Sequence, residues 1–276
     1  MIFTTLSTFR AVDASHGFVV AGEPLALHRT TDGGEHWSRL ALPTQDVLTV
    51  QFSDAVHLWL FAGSRTEALT SVHMYASSDR GESWTQRPDV SVNSFPVFRN
   101  GVEGWAGASD QSPPHIFVTA DGGLTWERRE LPVETDTPQP AGTAVRLLPG
   151  TGAIVIVYLA GDPGGVAQFH SYTSMDGGRS WSAIVAAGPS GDQGFKTDYA
   201  FQDATHWWSV QDAALYKTAD AGRSWALIAV EPTALRLLQA FDSRHAWGQL
   251  DAGNTQLVST SDGGLHWNLA NVPIAQ

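Results

Sequence analysis

The sequence predicts an all-β fold made of six repeated units, and three observations carry this prediction. An eight-residue frame, Ser/Thr-x-Asp-x-Gly-x-x-Trp, occurs six times in the 276 residues. Successive copies lie 42 to 55 residues apart, close to the period of repeat architectures. The intervals contain short apolar or alternating segments separated by Gly, Pro, Asn and Asp, a pattern typical of β-strands joined by turns.

The repeated frame, which we call the box, has the chemistry of a tight turn. The aspartate can accept backbone N–H bonds, the glycines tolerate positive φ, and the Ser or Thr hydroxyl can close a second local bond. The tryptophan begins the next strand, and its large apolar surface is expected to seal neighbouring sheets against one another. We assign structural roles to the box residues Asp32, Trp37, Asp79, Trp84, Asp121, Trp126, Asp176, Trp181, Asp220, Trp225, Asp262 and Trp267.

The repeat length predicts the architecture. Six units in 276 residues average about 46 residues each, which matches a four-stranded propeller blade. We therefore expect one domain over residues 1–276, a six-bladed β-propeller with four antiparallel strands, A to D, per blade and a box in each C–D turn. No strand is expected to be exchanged between the termini. The approximate blades are 3–42, 46–88, 92–132, 143–187, 196–231 and 234–272.

The box resembles the Asp-box, or bacterial neuraminidase repeat. This repeat marks β-propellers such as sialidases, xyloglucan-cleaving glycosidases, sortilin-type receptors and photosystem II stability/assembly factors. The Thr-x-Asp-Gly-Gly-x-x-Trp spelling is most similar to the assembly-factor branch. In these proteins the Asp-box is an architectural turn, usually on the face opposite the ligand site. The resemblance therefore implies a structural role for the six boxes and no catalytic one.

A second feature repeats in the predicted A–B turns. Five of the six units carry Asp or Asn followed three residues later by His or Glu, and an aromatic residue two positions further on. Asp-x-x-His could be a pair of metal ligands, but repetition around the chain favours an Asx turn whose His caps the strand. We therefore expect no metal and no cofactor. The turns are Asp13–His16, Asp54–His57, Asn100–Glu103, Asp203–His206 and Asp242–His245.

The tryptophans follow the same repeat. Ten of the 11 belong to boxes or to the aromatic position of strand B, so their abundance is architectural rather than a sign of sugar stacking. Trp207 alone lies outside these positions. It should face the opposite side of its sheet from Trp208, since successive strand residues alternate, and pack between blades.

Composition and charge limit the classes of partner and the cellular compartments that are expected for the protein. A formal net charge of −12 and a pI near 5.1 disfavour nucleic acid. No apolar run approaches the length of a membrane span, and the absence of cysteine excludes disulfides. The N-terminus lacks signal-peptide features, so the protein is expected to be cytoplasmic unless a leader has been removed, in which case it is extracytoplasmic. We expect a monomer.

Strand alternation also predicts where a ligand binds. It places the A–B and C–D turns on one face and the irregular B–C and D–A connections on the other, and binding residues concentrate on variable loops. The longest connections, 63–73, 107–115, 132–143, 161–170 and 186–198, all belong to blades two to five. The candidate ligand-binding residues there are Arg65, Glu67, Asp110, His115, Glu134, Asp136, Asp162, His170, Asp192, Lys196 and Asp198.

The absence of several catalytic motifs favours a binding protein over an enzyme. A sialidase-like site needs converging arginines, a tyrosine nucleophile and an acid/base carboxylate, and the chain has no Arg-Ile-Pro segment. Gly-x-Ser-x-Gly and His-Glu-x-x-His are absent too. We expect a non-catalytic propeller that binds a protein, a peptide or a glycan through the loop-rich face. The alternative is a sialidase-like glycoside hydrolase or lyase with its active site on that face.

Overall fold

The computed structural model describes most of the chain. The described residues are 6–11, 15–21, 26–32, 35–54, 56–63, 72–89, 95–108, 113–132, 140–148, 152–159, 169–186, 198–211, 213–230, 235–251 and 255–269. Their regular structure consists of β-strands, so the prediction of an all-β fold is confirmed. Within these residues no helix is long and apolar enough to cross a membrane.

The strands form six four-stranded antiparallel sheets, each built from four consecutive strands. The first three sheets are β1 (Leu6–Ala11), β2 (Gly17–Ala21), β3 (Ala26–Thr30) and β4 (Ser38–Arg39); β5 (Val47–Phe52), β6 (Leu58–Ala62), β7 (His73–Ser77) and β8 (Thr85–Arg87); and β9 (Val97–Phe98), β10 (Gly104–Gly107), β11 (His115–Thr119) and β12 (Glu127–Glu130). The third sheet has the shortest first strand, with two residues.

The other three sheets follow the same order. They are β13 (Pro140–Leu147), β14 (Ala153–Leu159), β15 (Phe169–Ser174) and β16 (Ser182–Ala186); β17 (Asp198–Phe201), β18 (Trp207–Gln211), β19 (Ala214–Thr218) and β20 (Ala226–Val230); and β21 (Leu235–Ala240), β22 (Ala246–Asp251), β23 (Thr255–Thr260) and β24 (Asn268–Leu269). Because β1 and β24 each pair within their own sheet, the expectation of no exchanged strand is confirmed for the described residues.

The chain divides into two compact units. Unit 1 comprises Met1–Ala108, Ile116–Arg129 and Val272–Gln276, and contains the first two sheets and most of the third. Unit 2 comprises Ser109–His115 and Glu130–Asn271, and contains the last three sheets. Sheets that follow one another within a unit share hydrophobic clusters, so each sheet face is buried against the next.

Strand B supplies the deepest part of these clusters. Trp59, Trp105, Trp207 and Trp208 are each about 1% exposed. Trp208 packs with residues of the sixth sheet, whereas Trp207 packs with Leu148 from the end of β13. The prediction that the two adjacent indoles face opposite sides of one sheet is therefore confirmed.

The box tryptophans seal the sheets less completely than the sequence predicts. All six are partly exposed, and four of them pack only at the margins of the clusters: Trp84, Trp126, Trp225 and Trp267. The box begins on the last residue of strand C and its indole lies at the end of the turn. The buried indoles Trp59, Trp105 and Trp208, on the second strands of their sheets, have the more central position.

Each of the five boxes whose turn the structure describes has two successive residues in the left-handed region. Gly263 and Gly264 have φ values of 87° and 91°. The first of these positions tolerates a side chain, since Ala221 holds it at φ 61° in the fifth box. The second is glycine in every box, and in the second, third and sixth boxes a Cβ there would meet the preceding sheet: on Gly264 it would lie 2.2 Å from Leu215 Cδ2.

This contact predicts different costs for two adjacent substitutions. Gly264→Ala should lower the free energy of unfolding by about 2–5 kcal/mol, because left-handed strain adds to overlap with Leu215. Gly263→Ala has a similar φ but more room, and should cost about 1–2 kcal/mol. Urea unfolding of both variants measures the difference. Equal losses would contradict the packing role of Gly264.

Candidate functional site

The A–B turn and the box lie at the same edge of each sheet, which we call the turn edge. The N–H of the residue after the box aspartate donates to a carbonyl of the A–B turn. This bond recurs in four sheets, as Arg80 N to Val56 O, Gly122 N to Val102 O, Ala221 N to Thr205 O and Gly263 N to Arg244 O, at 2.9–3.0 Å. The B–C and D–A connections lie at the opposite edge, the loop edge.

The A–B turns have the geometry that the sequence predicts. Asp54 Oδ1 accepts the N–H groups of Val56 and His57, both at 2.9 Å, and Asp54 Oδ2 lies 2.7 Å from His57 Nδ1. The turns at Asp203 and Asp242 repeat this arrangement with their own histidines. Asn100 does the same with Glu103. The Asx-turn interpretation is therefore confirmed in these four turns, while Asp13 lies outside the described residues.

These bonds hold the turn aspartates in the ionised form. Burial raises the pKa of Asp54 and of Asp203, but hydrogen bonds from neighbouring backbone and His groups outweigh it and leave both pKa values below normal. The N–H of Arg244 and the ring of His245 lower the pKa of Asp242 to about 2. Both carboxylate oxygens of each aspartate already have partners within the turn, so a metal would have to displace them.

The box aspartates are held in the same way. Asp121 Oδ1 accepts the N–H of Thr125 at 2.9 Å and the hydroxyl of Thr119 at 2.8 Å, and Oδ2 accepts the hydroxyl of Thr125 at 2.6 Å. The Thr125 hydroxyl is the main cause that lowers the pKa of Asp121 to about 2. Equivalent hydroxyls lower the pKa of Asp79 and Asp220 to about 2, and the pKa values of Asp32, Asp176 and Asp262 are lowered as well.

One group of side chains at the turn edge has metal-ligating chemistry. Single ligand atoms of Asp32, Glu35 and His36 lie within 4.8 Å of one another, and all three residues are exposed. His36 Nδ1 is 2.7 Å from Asp32 Oδ2, the contact that Ser or Thr hydroxyls make in other boxes. The arrangement is therefore explained as a box turn, and we assign no metal to it.

The loop edge contains the described members of the predicted site. His115 begins β11, His170 is the second residue of β15, and Asp198 begins β17. Each lies at the loop edge of its own sheet, as strand alternation predicts. The side chains of His170 and Asp198 lie outside what the structure describes, as do the remaining candidates entirely: Arg65, Glu67, Asp110, Glu134, Asp136, Asp162, Asp192 and Lys196.

His115 is more deeply buried than a ligand-binding loop residue. It is 1% exposed, and its Nδ1 lies 2.9 Å from Pro113 O. Its carbonyl accepts the Thr143 hydroxyl at 3.0 Å, where Thr143 belongs to β13. These contacts make His115 a structural link between two strands in its described surroundings, rather than a side chain presented to solvent.

Sequence reasoning missed one pair at the loop edge. His73 Nδ1 lies 3.0 and 3.1 Å from the two carboxylate oxygens of Asp89, and both side chains are about half exposed. His73 begins β7, and Asp89 follows the end of β8. The pairing of Met74 with Arg87 in these strands brings the two residues together. Strand register, which box spacing alone does not provide, is the signal that would have revealed them.

The lowered pKa of Asp121 gives a pH-dependent prediction. Its folded pKa of about 2 lies below the unfolded value of about 3.9, so its contribution to stability is present above pH 4 and is lost as the pH falls towards 2. Asp121→Asn should therefore be clearly less stable than the wild type at pH 7, and the gap should narrow near pH 2. Chemical unfolding at both pH values measures it, with Glu35→Gln, an exposed carboxylate outside this network, as the control. A gap independent of pH would contradict the assignment.

Comparison with known proteins supports the β-propeller fold. No protein-family model and no curated protein sequence matches the chain. Among solved structures it is similar to "YCF48 bound to D1 peptide", with a TM-score of 0.59, 18% identity, and coverage of 97% of this chain and 81% of that chain. It is also similar to YCF48 from Cyanidioschyzon merolae, with a TM-score of 0.59, 17% identity, and coverage of 99% and 87%.

Carbohydrate-active enzymes are similar as well. The α-L-arabinofuranosidase Arb93A from Fusarium graminearum has a TM-score of 0.54 and 14% identity, with 92% of each chain covered. The GH74 xyloglucanase from Xanthomonas campestris has a TM-score of 0.52 and 16% identity, with 96% of this chain and 47% of that chain covered. At such low identities these similarities establish a β-propeller fold, and they include both a peptide-bound structure and glycosidases.

Proposed function

We propose that the protein is a non-catalytic β-propeller that binds an extended protein segment or peptide at its loop edge. The observation that carries this proposal is the difference between the two edges of each sheet. The turn edge repeats one hydrogen-bonded design from sheet to sheet, and its aspartates are occupied by their own turns. The loop edge has connections of very different lengths, which is where a rigid scaffold places its binding residues.

In this proposal the six sheets are six blades of one ring, each with an Asp-box between its third and fourth strands. The consecutive four-stranded sheets and the buried faces shared by successive sheets within each unit support that arrangement. We propose that the ring is monomeric. Its loop edges would then form one face over blades two to five, with the charged candidates of the connections around it.

A polypeptide ligand fits the available comparisons best. One structurally similar protein is described as bound to a D1 peptide. The predicted site residues carry both signs of charge, with Arg65 and Lys196 among acidic residues. Such a mixed surface can pair with charged side chains of a peptide and fix its register, which gives specificity more than affinity. A glycan is the alternative ligand of the same face.

A peptide-display selection on the immobilised wild-type protein tests the proposal. The charge reversals Arg65→Glu and Asp162→Lys should each weaken binding of a selected peptide by at least about tenfold, the loss of one good contact. The matched controls, Arg80→Glu and Glu35→Lys, make the same charge reversals on exposed side chains at the turn edge and should alter binding less than about twofold. Greater sensitivity at the turn edge would contradict the proposal.

The structural similarity to glycosidases favours a second candidate, a glycoside hydrolase or lyase on the same face. Such an enzyme needs a carboxylic acid with a raised pKa to protonate the leaving group. Among the described residues, every aspartate with a resolved shift has a lowered pKa. A panel of arabinan, xyloglucan and sialoside substrates separates the two functions. Turnover that disappears in Asp110→Asn or Asp162→Asn would replace the binding proposal.

A further inference from the structure

A polar gap opens at the turn edge of the second sheet, on the opposite side from the proposed ligand face. Its volume is about 110 Å³, and its walls come from the second sheet and from Gly101 in the A–B turn of the third. At roughly 30 Å³ per water, it has room for three or four waters or for one small ion. The lining residues are His57, Trp59, Ala76, Ser77, Ser78, Ser83, Thr85, Arg87 and Gly101.

In the fifth sheet a basic side chain occupies the equivalent place. Lys217, the residue before the fifth box, is the cross-strand partner of Trp208. Its ammonium lies 3.5 Å from the Trp208 ring centroid and donates to Ser243 O at 2.8 Å in the next A–B turn. Burial there lowers the pKa of Lys217 to about 8. A basic side chain from the chain itself thus bridges two successive sheets.

The first sheet has a similar bridge to its neighbour. Arg29 also precedes a box, and its Nη1 lies 3.0 Å from Glu82 Oε1 in the box of the second sheet. In the second sheet the equivalent residue is Ala76, which pairs with Trp59 as Lys217 pairs with Trp208. The side chain that would fill the gap is missing, because alanine ends at Cβ.

Arg87 supplies a cation to the gap from a different strand. It ends β8, and its Nε donates to Gly122 O at 2.9 Å in the box of the third sheet. That bond anchors the guanidinium and leaves its two Nη nitrogens without an acceptor among the described residues. The hydroxyls of Ser78 and Thr85, both exposed, also line the gap and have no protein partner in the described part of the chain.

The acidic groups around the gap are already engaged. Asp54 accepts from His57, and Asp79 accepts the Ser83 hydroxyl together with the Ser77 hydroxyl. Glu82 pairs with Arg29. Among the described residues, the lining donors without a protein partner include the two Nη groups of Arg87, the hydroxyls of Ser78 and Thr85 and the buried Trp59 Nε1. This set suits an oxyanion, since guanidinium binds carboxylate or phosphate through two N–H groups.

We propose that the gap bounded by Ala76, Arg87, Ser78 and Gly101 is a binding site for one small oxyanion of carboxylate or phosphate size. The bound anion bridges the second and third sheets, as Lys217 bridges the fifth and sixth through its own side chain. This site is independent of the proposed peptide-binding face, so failure of one leaves the other standing.

The test is a two-dimensional amide NMR titration of the wild-type protein with inorganic phosphate, and separately with sodium acetate, at constant ionic strength. Saturable shifts confined to the amides of Ser78, Gly101 and Gly122 are expected with at least one anion. The tighter of the two identifies a tetrahedral or a planar oxyanion. Arg87→Gln should weaken binding at least tenfold, whereas Arg39→Gln, an equal charge change on the outer strand of the first sheet, should alter it less than twofold.

A second variant keeps the test decisive if Arg87→Gln does not fold. Ala76→Leu fills the gap without changing charge, and it should also abolish the saturable shifts while the dispersed spectrum is retained. Shifts that do not saturate, that spread over the surface, or that persist in both Arg87→Gln and Ala76→Leu would overturn the proposal. A wild-type protein that responds to neither anion would do so as well.

Discussion

The box aspartate is the constraint on which the rest of this structure depends. In the third box, Asp121 accepts two backbone N–H groups and two hydroxyls on its two oxygens, and so closes the turn around itself. A turn this tight is possible only with two left-handed residues in succession, which Gly122 and Gly123 provide. The second glycine contacts the preceding sheet near Met74. The hydrogen-bond network that ends strand C therefore also positions its own sheet against the preceding one.

This double role explains why the two edges of a sheet differ. A turn that must both reverse the chain and contact the preceding sheet has little freedom in sequence. The A–B turn shares the constraint, since its carbonyl accepts the N–H of Ala221 in the fifth sheet and of Gly263 in the sixth. The described loop edge has backbone bonds of its own in two sheets, Gly63 N to Asp46 O and Leu131 N to Pro114 O, but its connections share no repeated turn sequence and vary in length. Binding residues can therefore change there without disturbing the packing of the sheets.

The sequence predicted contacts correctly where the two residues lie close together in the chain. The box, the Asp54–His57 turn and the opposite facing of Trp207 and Trp208 all depend on residues a few positions apart. Contacts across strands were harder to foresee. The pairing of His73 with Asp89 requires the β7–β8 register, and the burial of His115 requires its position against Thr143 of a later strand. The depth of strand-B indoles relative to box indoles likewise depends on how whole sheets stack.

The oxyanion gap cannot be recognised from one repeat alone, but it can be recognised when equivalent positions of different repeats are compared. No single residue marks it, because Ala76 is unremarkable and Arg87 lies on an ordinary outer strand. It becomes visible when the second sheet is compared with the first and the fifth, where the residue before the box is basic: Arg29 and Lys217 reach to the next sheet, and Ala76 does not. Since the surrounding turns are otherwise alike, one short side chain decides whether the protein fills this space itself or leaves it to a ligand.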